Sequence, residues 1–383
     1  MTRNPIGQNS RRKIRVLILT KRRYMRRDLL DDRYGRMWHL PLGLAKKGMS
    51  VEGACVGYAG SPGQRDQLRE SFSSGGELRL SAVRTPIYNG LSWFRLHRQL
   101  KETVARFRPD LIYAFSDALH IVLGALLSRG TGLPFAADFY DNYEAYGATR
   151  FPGVRSALAW ATKRADFVTC VSDPLRQFLV EKYGPRASSI LVIENGVHPD
   201  FFSPTDKADA RTKLGLPPAA KLIGTAGALS SSRDTDSLLE AFFQLAQTTP
   251  DLRLVLAGKC ELRLPQHERI HYLGDLDHSR IPILFRALDV GVVGVKDDAF
   301  GRYCFPQKAA EMAASKLPIV IADVGVMASS AADAWGRRYE TGDMLSLTQA
   351  ISSQLGEPAR PNWTPRTWEE LADILATELT KLV

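Results

Sequence analysis

At 383 residues, with 44% hydrophobic and 24% charged, the chain has the composition of an ordinary folded protein, which excludes disordered and fibrous classes and suffices for two domains. No apolar run reaches the roughly 20 residues that cross a bilayer, and the basic start MTRNPIGQNSRRKIRV lacks the apolar core of a secretory signal, so a cytoplasmic protein is expected. The formal net charge is +10, and residues 1–60 hold fourteen Lys/Arg against four Asp/Glu, so the whole excess lies there; such a surface either draws phosphates or serves solubility.

The pattern then alternates short apolar runs with helix-length amphipathic ones, which is how parallel sheets covered by helices are written. In the first half, strands are expected at 14–19, 51–56, 111–114, 135–137, 167–171 and 190–193, with helices at 36–47, 93–107, 154–164 and 175–183. In the second, strands are expected at 222–225, 252–257, 290–293 and 319–322, with helices at 235–246 and 307–314. A polar, Pro-containing stretch near 196–210 marks the linker, and a Pro-rich run at 357–365 sets off a last helix at 368–382. The four cysteines, Cys55, Cys170, Cys260 and Cys304, are widely spaced and suggest reduced thiols rather than a zinc site or disulfides. G-x-G-x-x-G and Walker A loops are both absent, so a nucleotide would need another arrangement at the carboxyl ends of parallel strands.

The richest segment for chemistry is FGRYCFPQKAAEMAASKLPIVIA, from Phe300 to Ala322. Pro306 suits a first helical position, and a helix opening there aims the N–H groups of Gln307 and Lys308 and a positive dipole end at an anion such as a diphosphate. Glu311 lies on the same face one turn deeper, where it either accepts hydrogen bonds from ribose hydroxyls or pairs with Lys308.

This segment resembles the signature of glycosyltransferase family 4, with Glu311, Ser315, Lys316, Pro318 and Ile319 to Ile321 in its pattern. IENGVHPDFFSP (Ile193 to Pro204) resembles the family's interdomain N-G-V-D-x-x-x-F-x-P, with His198 in place of Asp. GALSSSRD (Gly227 to Asp234) resembles G-R-L-x-x-x-K-G, and LVLAGK and ADFVTCVS agree in order and spacing. The resemblance runs from about residue 14 to the last helix.

It implies an α/β protein of GT-B type, two doubly wound Rossmann-like domains facing a cleft. An N-terminal acceptor-side domain covers 1–196, a C-terminal donor domain 197–364, and a closing helix, 365–383, crosses back to the N-terminal domain. The implied activity is retaining, metal-independent, hexosyltransferase-like transfer from a UDP or GDP sugar to a glycan, lipid-linked or small-molecule acceptor, as in polysaccharide biosynthesis. Nucleic acid, metal and a separate cofactor are not implied, since the nucleotide sugar is the donor substrate.

Carried over by position, Gly227, Arg233, Tyr303, Phe305, Pro306, Gln307, Lys308 and Glu311 bind the donor. Arg233 stands where the family has Lys against the diphosphate, and Arg233 and Lys308 stabilise the charge on the departing phosphate. From PFAADFYDNY (Pro134 to Tyr143), Asp138 and Asp141 orient a sugar or acceptor hydroxyl, or serve as caps and turns. Three positions depart from the pattern: Tyr303 replaces the first Glu of E-x7-E, Ala228 the Arg of G-R-L, and Tyr140 a His. These substitutions keep open a sugar-nucleotide epimerase-like enzyme, or a weakly catalytic binding subunit, on the same fold. KRRYMRR (Lys21 to Arg27) is expected at the cleft, drawing a phosphorylated lipid-linked acceptor. YNGLSWFRLHR (Tyr88 to Arg98), with Trp93, Phe94 and Leu96, either rests on an anionic membrane at its inner face or packs in the core.

Overall fold

The computed structural model describes residues 12–24, 27–57, 65–84, 90–145, 147–184, 190–328 and 335–383. The first half runs β1 (Arg15–Lys21), a short antiparallel pair β2 (Arg23–Tyr24) and β3 (Arg27–Asp28), α1 (Arg36–Lys46), β4 (Ser50–Gly57), β5 (Gln67–Ser71), β6 (Glu77–Arg84), α2 (Gly90–Phe107), β7 (Leu111–Ala114), α3 (Ala118–Thr131), β8 (Phe135–Phe139), α4 (Val154–Arg164), β9 (Phe167–Cys170), α5 (Asp173–Tyr183) and β10 (Ile190–Val192). The second runs α6 (Lys207–Leu214), β11 (Lys221–Ala226), α7 (Thr235–Thr248), β12 (Leu252–Ala257), β13 (Ile270–Tyr272), α8 (Ile281–Ala287), β14 (Val290–Val293), α9 (Gln307–Ala314), β15 (Ile319–Ala322), β16 (Arg337–Tyr339), α10 (Met344–Gly356) and α11 (Trp368–Thr380).

One sheet has the order β10-β9-β8-β7-β1-β4-β6-β5, parallel except for β5 against β6; the other has the parallel order β13-β12-β11-β14-β15-β16. In each, the strand order reverses beside the first strand laid down, β1 or β11. Crevices therefore open at the carboxyl ends of β1 and β7, and of β11 and β14.

Burial on both faces explains the unbroken apolar strands. Leu17, Leu19, Ile112 and Ala114 enter one core layer, while Val16, Ile18, Leu111 and Tyr113 enter the opposite one, as the two-residue period of a strand requires. The layer holding Val16 and Ile18 is completed from far along the chain by Leu371, Leu375 and Leu379 of α11. The closing helix does cross back onto the N-terminal domain. Thr367 and Glu370 start it with a reciprocal capping box.

Several elements escape the pattern-based expectation, for physical reasons. α3 (ALHIVLGALLSRGT) packs against α2, α4 and the sheet, so it is apolar nearly all round and shows no amphipathic period. β5 is an edge strand with alternating exposure, and β13 and β16 are edge strands of three residues. The expected linker is more ordered than its composition suggests: Val197 and Phe201 are fully buried in the C-terminal core, and α6 begins at Lys207.

α11 meets α1 so closely that a Cβ on Gly43 would fall 2.2 Å from the Cβ of Ala372. Helix propensity alone makes Gly43→Ala stabilising by about 1 kcal/mol, whereas overpacking makes it destabilising by about 1–3 kcal/mol. The contact wins. Gly43→Ala should lower the chemical denaturation midpoint, and adding Ala372→Gly should recover most of the loss.

Candidate active site

The C-terminal crevice is built by two glycine turns. β11 is followed by Gly227, at φ +103°, and β12 by Gly258, at φ +118°; a Cβ on Gly258 would fall 1.9 Å from the Gly227 carbonyl oxygen, so the loops stack backbone on backbone. After Gly227 a short 3-10 turn, Ser231–Arg233, presents Arg233, whose guanidinium lies 4.3 Å from the centre of the Phe300 ring. The turn is held from behind by Asp234, which accepts hydrogen bonds from the hydroxyls of Tyr339 (2.7 Å) and Ser237 (2.6 Å).

Lys308 reaches the same crevice from α9. Its Nζ donates to the Thr225 hydroxyl at 3.4 Å, and its stem passes beside Gly227. Burial foremost, and then the charge of Arg233, push its pKa down to about 7, against the opposing pull of Glu311. Among the described residues no carboxylate forms an ion pair with Arg233 or Lys308, so the two cations converge with only the more distant Glu311 opposing them.

Glu311, 6% exposed, does not pair with Lys308. Its Oε1 instead accepts from Gln307 Nε2 (3.1 Å) and faces His278 Nε2 (3.4 Å), and the carboxylate lines a cavity of about 540 Å³ between the domains. Tyr34, Gly35 and His39 of the N-terminal domain, Asn195 and His198 of the crossing, and His278 share that cavity. Burial, followed by the neighbouring charges of His198, His278 and Lys46, drives the His39 pKa down to about 4.

Pro306 differs from its expected place. It precedes the first residue of α9 and forms the centre of an inverse γ-turn (φ −79°, ψ 81°), in which the Gln307 N–H donates to the Phe305 carbonyl at 2.9 Å. That N–H is therefore occupied, and Lys308 contributes through its side chain. Tyr303 and Phe305 are given to packing: the Tyr303 ring lies 4.9 Å from Phe178, its carbonyl accepts from the Ser172 hydroxyl at 2.7 Å, and Phe305 meets Trp335 and Trp363.

The N-terminal crevice holds a second polar group. Lys21, the last residue of β1, donates to the Tyr140 hydroxyl at 2.9 Å; burial lowers its pKa, opposed by the charges of Asp117 and Asp141. Ser116, at the end of β7, is fully buried at φ +89°, a left-handed conformation held by hydrogen bonds with Thr20 and the Lys21 N–H. Asp117 caps α3; burial would raise its pKa, but His120 and Lys21 bring it down to about 2. Asp141 is 4% exposed and its carboxylate accepts from the Asn142 N–H at 2.8 Å.

Asp138 does not reach the cleft. It is fully buried, its oxygens taken by Arg36 (2.6 and 2.9 Å) and the Thr169 hydroxyl (2.5 Å). The basic segment is divided too: Arg22 is buried against Asp28 (2.7 Å), Arg23 and Arg27 are exposed, and Met25 and Arg26 lie outside the described residues. Sequence reasoning passed over Arg36, Ser116, Asp117 and His278. A Ser-Asp pair after an apolar run is a cap signal at a strand's carboxyl end, so Asp117 was findable; nothing local marks His278.

Residues 36–201 match the Glycosyltransferase Family 4 model and residues 220–356 the Glycosyl transferases group 1 model. The chain is 28% identical over 215 residues to D-inositol 3-phosphate glycosyltransferase 2 of Catenulispora acidiphila, covering 51% of this chain and 49% of that protein. It is 26% identical over 187 residues to lipopolysaccharide core biosynthesis mannosyltransferase LpsB of Rhizobium meliloti, covering 44% and 51%. The chain thus spans about half the length of the curated relatives it matches. Among solved structures it is similar to sucrose-phosphate synthase from Thermosynechococcus elongatus (TM-score 0.71, 17% identity, 97% of this chain and 98% of that one). It is also similar to Anabaena Alr3699/HepE in complex with UDP-glucose (TM-score 0.64, 19% identity, 96% and 97%). Matched in both halves and sharing the whole architecture of GT-B structures, the chain belongs to the family 4, group 1 glycosyltransferases.

Proposed function

We propose that the protein is a retaining glycosyltransferase taking a hexose from a nucleoside-diphosphate sugar, with UDP sugars the first donors to test and GDP sugars the second. The observation that carries this reading is the convergence of Arg233 and Lys308, without a carboxylate partner among the described residues, at the carboxyl ends of β11 and β14. Two fixed cations there meet the charge of a diphosphate and supply the role a metal ion plays elsewhere. Glu311 takes the ribose hydroxyls. UDP-glucose in Anabaena Alr3699/HepE supports this choice of donor class.

In the proposed reaction the bond from C1 of the sugar to the diphosphate oxygen breaks, its electron pair passing to that oxygen beside Arg233 and Lys308. The acceptor oxygen bonds to C1 on the same face, and its proton goes to the departing phosphate. Asp141 and the Lys21–Tyr140 pair hold the sugar or acceptor hydroxyls from the opposite wall. The acceptor is a polyol, glycan or lipid-linked sugar, in keeping with the inositol phosphate and lipopolysaccharide core named for the relatives. One observation favours a binding subunit instead: Tyr303, at the position of the family's Glu, is packed on Phe178. Nucleotide binding without turnover would select that reading.

Glu311→Ala should weaken UDP binding in calorimetry while leaving the unfolding midpoint in place. Arg233→Ala should lower kcat on the order of a hundredfold while changing KM little, because charge on the leaving oxygen is largest in the transition state. Equal kcat in mutant and parent removes Arg233 from this role.

Lys308 also makes binding pH-dependent. With its pKa near 7 it is mostly neutral in the free protein at pH 8, and a bound diphosphate favours the charged form. UDP-glucose binding at pH 8 should therefore take up a proton, seen as dependence of the calorimetric enthalpy on buffer ionisation. The uptake should vanish at pH 6, where Lys308 is already charged, and in Lys308→Met.

We further propose peripheral attachment to an anionic membrane through the start of α2, where Phe94 is 66% exposed beside exposed Arg95 and Arg98. Leu96 is buried in the core, and the side chain of Trp93, with Tyr88 and Asn89, lies outside the described residues. Among the described residues no helix is long and apolar enough to cross a membrane. The protein should sediment with anionic vesicles at low salt and release as salt shortens the screening length; equal sedimentation with neutral vesicles overturns the electrostatic attachment.

A further inference from the structure

The proposed reaction uses the Arg233 guanidinium and gives Phe300 no role, yet the two meet: the guanidinium carbon lies over the Phe300 ring, 4.3 Å from its centre. Among the described residues the Arg233 side chain has no ion pair and no hydrogen bond, so the ring is what fixes its direction. A cation–π contact covers one face of the planar group and leaves its N–H donors, which point outward in the plane, free for phosphate oxygens. A carboxylate in the same place would take those donors itself.

Both loops that carry the contact are held at their backbones. Asp298 Oδ1 accepts from the Phe300 and Gly301 N–H groups at 2.9 and 2.8 Å, and the Phe300 carbonyl accepts from the Tyr303 and Cys304 N–H groups at 3.2 and 3.0 Å. The peptide groups on both sides of the ring are therefore bonded within one turn. That turn has no room to swell, since a Cβ on Gly301 would fall 2.0 Å from the Lys296 carbonyl oxygen. The Phe300 side chain packs, half-buried, on the C-terminal core. Gly294, which follows β14, brings the two loops together: a Cβ there would fall 2.8 Å from the Arg233 carbonyl oxygen. The backbone of Arg233 and the ring of Phe300 are thus set in one frame, with the guanidinium as the movable part between them.

We propose that Phe300 is a positioning residue that acts through Arg233, holding the guanidinium so that its donors face the terminal phosphate of a nucleoside diphosphate. The consequence is selectivity by charge. A nucleoside diphosphate, whose terminal phosphate carries the charge that the leaving oxygen acquires, gains from the aimed fork; a monophosphate, which lacks that group, does not. The contact also accounts for Arg rather than Lys at position 233, because the donors of an ammonium rotate about the last bond and a ring beside it cannot aim them. This rests on the assignment of Arg233 to the donor diphosphate.

The test measures calorimetric binding of UDP and UMP, or of GDP and GMP if the parent selects guanine, to the full chain. The variants are Phe300→Leu, Phe300→Tyr, Arg233→Lys and Arg233→Ala, with Phe300→Leu also combined with each Arg233 change. Phe300→Leu should weaken the diphosphate about fivefold, the size that a cation–π contact implies, and leave the monophosphate unchanged. Phe300→Tyr, which keeps the ring, should bind both as the parent does. Arg233→Lys and Arg233→Ala already lack the aimed fork, so adding Phe300→Leu to either should change diphosphate binding no further. Equal loss of diphosphate and monophosphate affinity in Phe300→Leu, or the same diphosphate loss with Arg233→Ala as without it, overturns the proposal and leaves Phe300 a packing residue. Parent-like diphosphate affinity in Phe300→Leu overturns it too. If Arg233→Ala binds the diphosphate as the parent does, the assignment of Arg233 is wrong; if the parent binds neither UDP nor GDP, the donor reading is. The proposal falls in both cases. Should Phe300→Leu not fold, Arg233→Lys decides: parent-like diphosphate affinity there overturns the proposal, since a directed fork would then add nothing.

Discussion

The fully buried ion pair of Arg36 with Asp138 fixes the geometry on which the cleft depends. Arg36 is 1% exposed and Asp138 not at all. Burying two charges is costly, and the cost is offset here by hydrogen bonds from all three guanidinium nitrogens. The guanidinium forks onto the carboxylate through Nε and Nη2 and turns Nη1 to two carbonyls at the end of the sheet, while Thr169 donates to the same carboxylate and meets Tyr113 at 2.7 Å. Losing one partner would strand the other in the core, at about 3–5 kcal/mol. The pair joins the start of α1, the end of β8 and the entry to the crossing, whose side chains also share one apolar core layer. Asp138 thus acts two residues upstream of Tyr140, setting where Tyr140 and Asp141 stand without touching the cleft itself.

How much of this was written in the sequence depends on the range of the signal. Strands buried on both faces, such as β1, β7, β12 and β14, show as short apolar runs and were legible with ends shifted by two residues at most. α3 was hidden because a helix buried on most sides loses its polar stripe, and β5 because an edge strand mixes charges with its apolar residues. At the site, Glu311 and Lys308 follow from one helix's periodicity. The role of Asp138 was not legible: its partner lies 102 residues earlier, and a carboxylate near the end of a strand looks the same whether it faces a substrate or an arginine. The bond from Gln307 to Gly196 spans 111 residues and was invisible for the same reason.

The positive charge concentrated near the amino terminus is less uniform in space than in sequence. Arg22 is bonded to Asp28, the Arg65 carbonyl and Asp66, so it braces the β2 and β3 pair rather than attracting ligands. Lys21, one residue earlier, points into the N-terminal crevice, where Asp117 and Asp141 temper its charge. The C-terminal crevice is the reverse case. There burial first, and then the charge of Arg233, disfavour the charged form of Lys308. One wall of the cleft is thus balanced and the other under-neutralised. Such an arrangement orients a substrate with one charged and one neutral end.

The return of α11 to the first domain also has a consequence for biosynthesis. Leu371, Leu375 and Leu379 complete a core layer whose other members, from Val16 to Ile193, are made much earlier. As the chain leaves the ribosome, the first sheet must therefore wait with that face only partly covered while the whole second domain is synthesised. Domains are usually expected to finish folding in the order in which they are made; here the second can close its core first, and the first is sealed last.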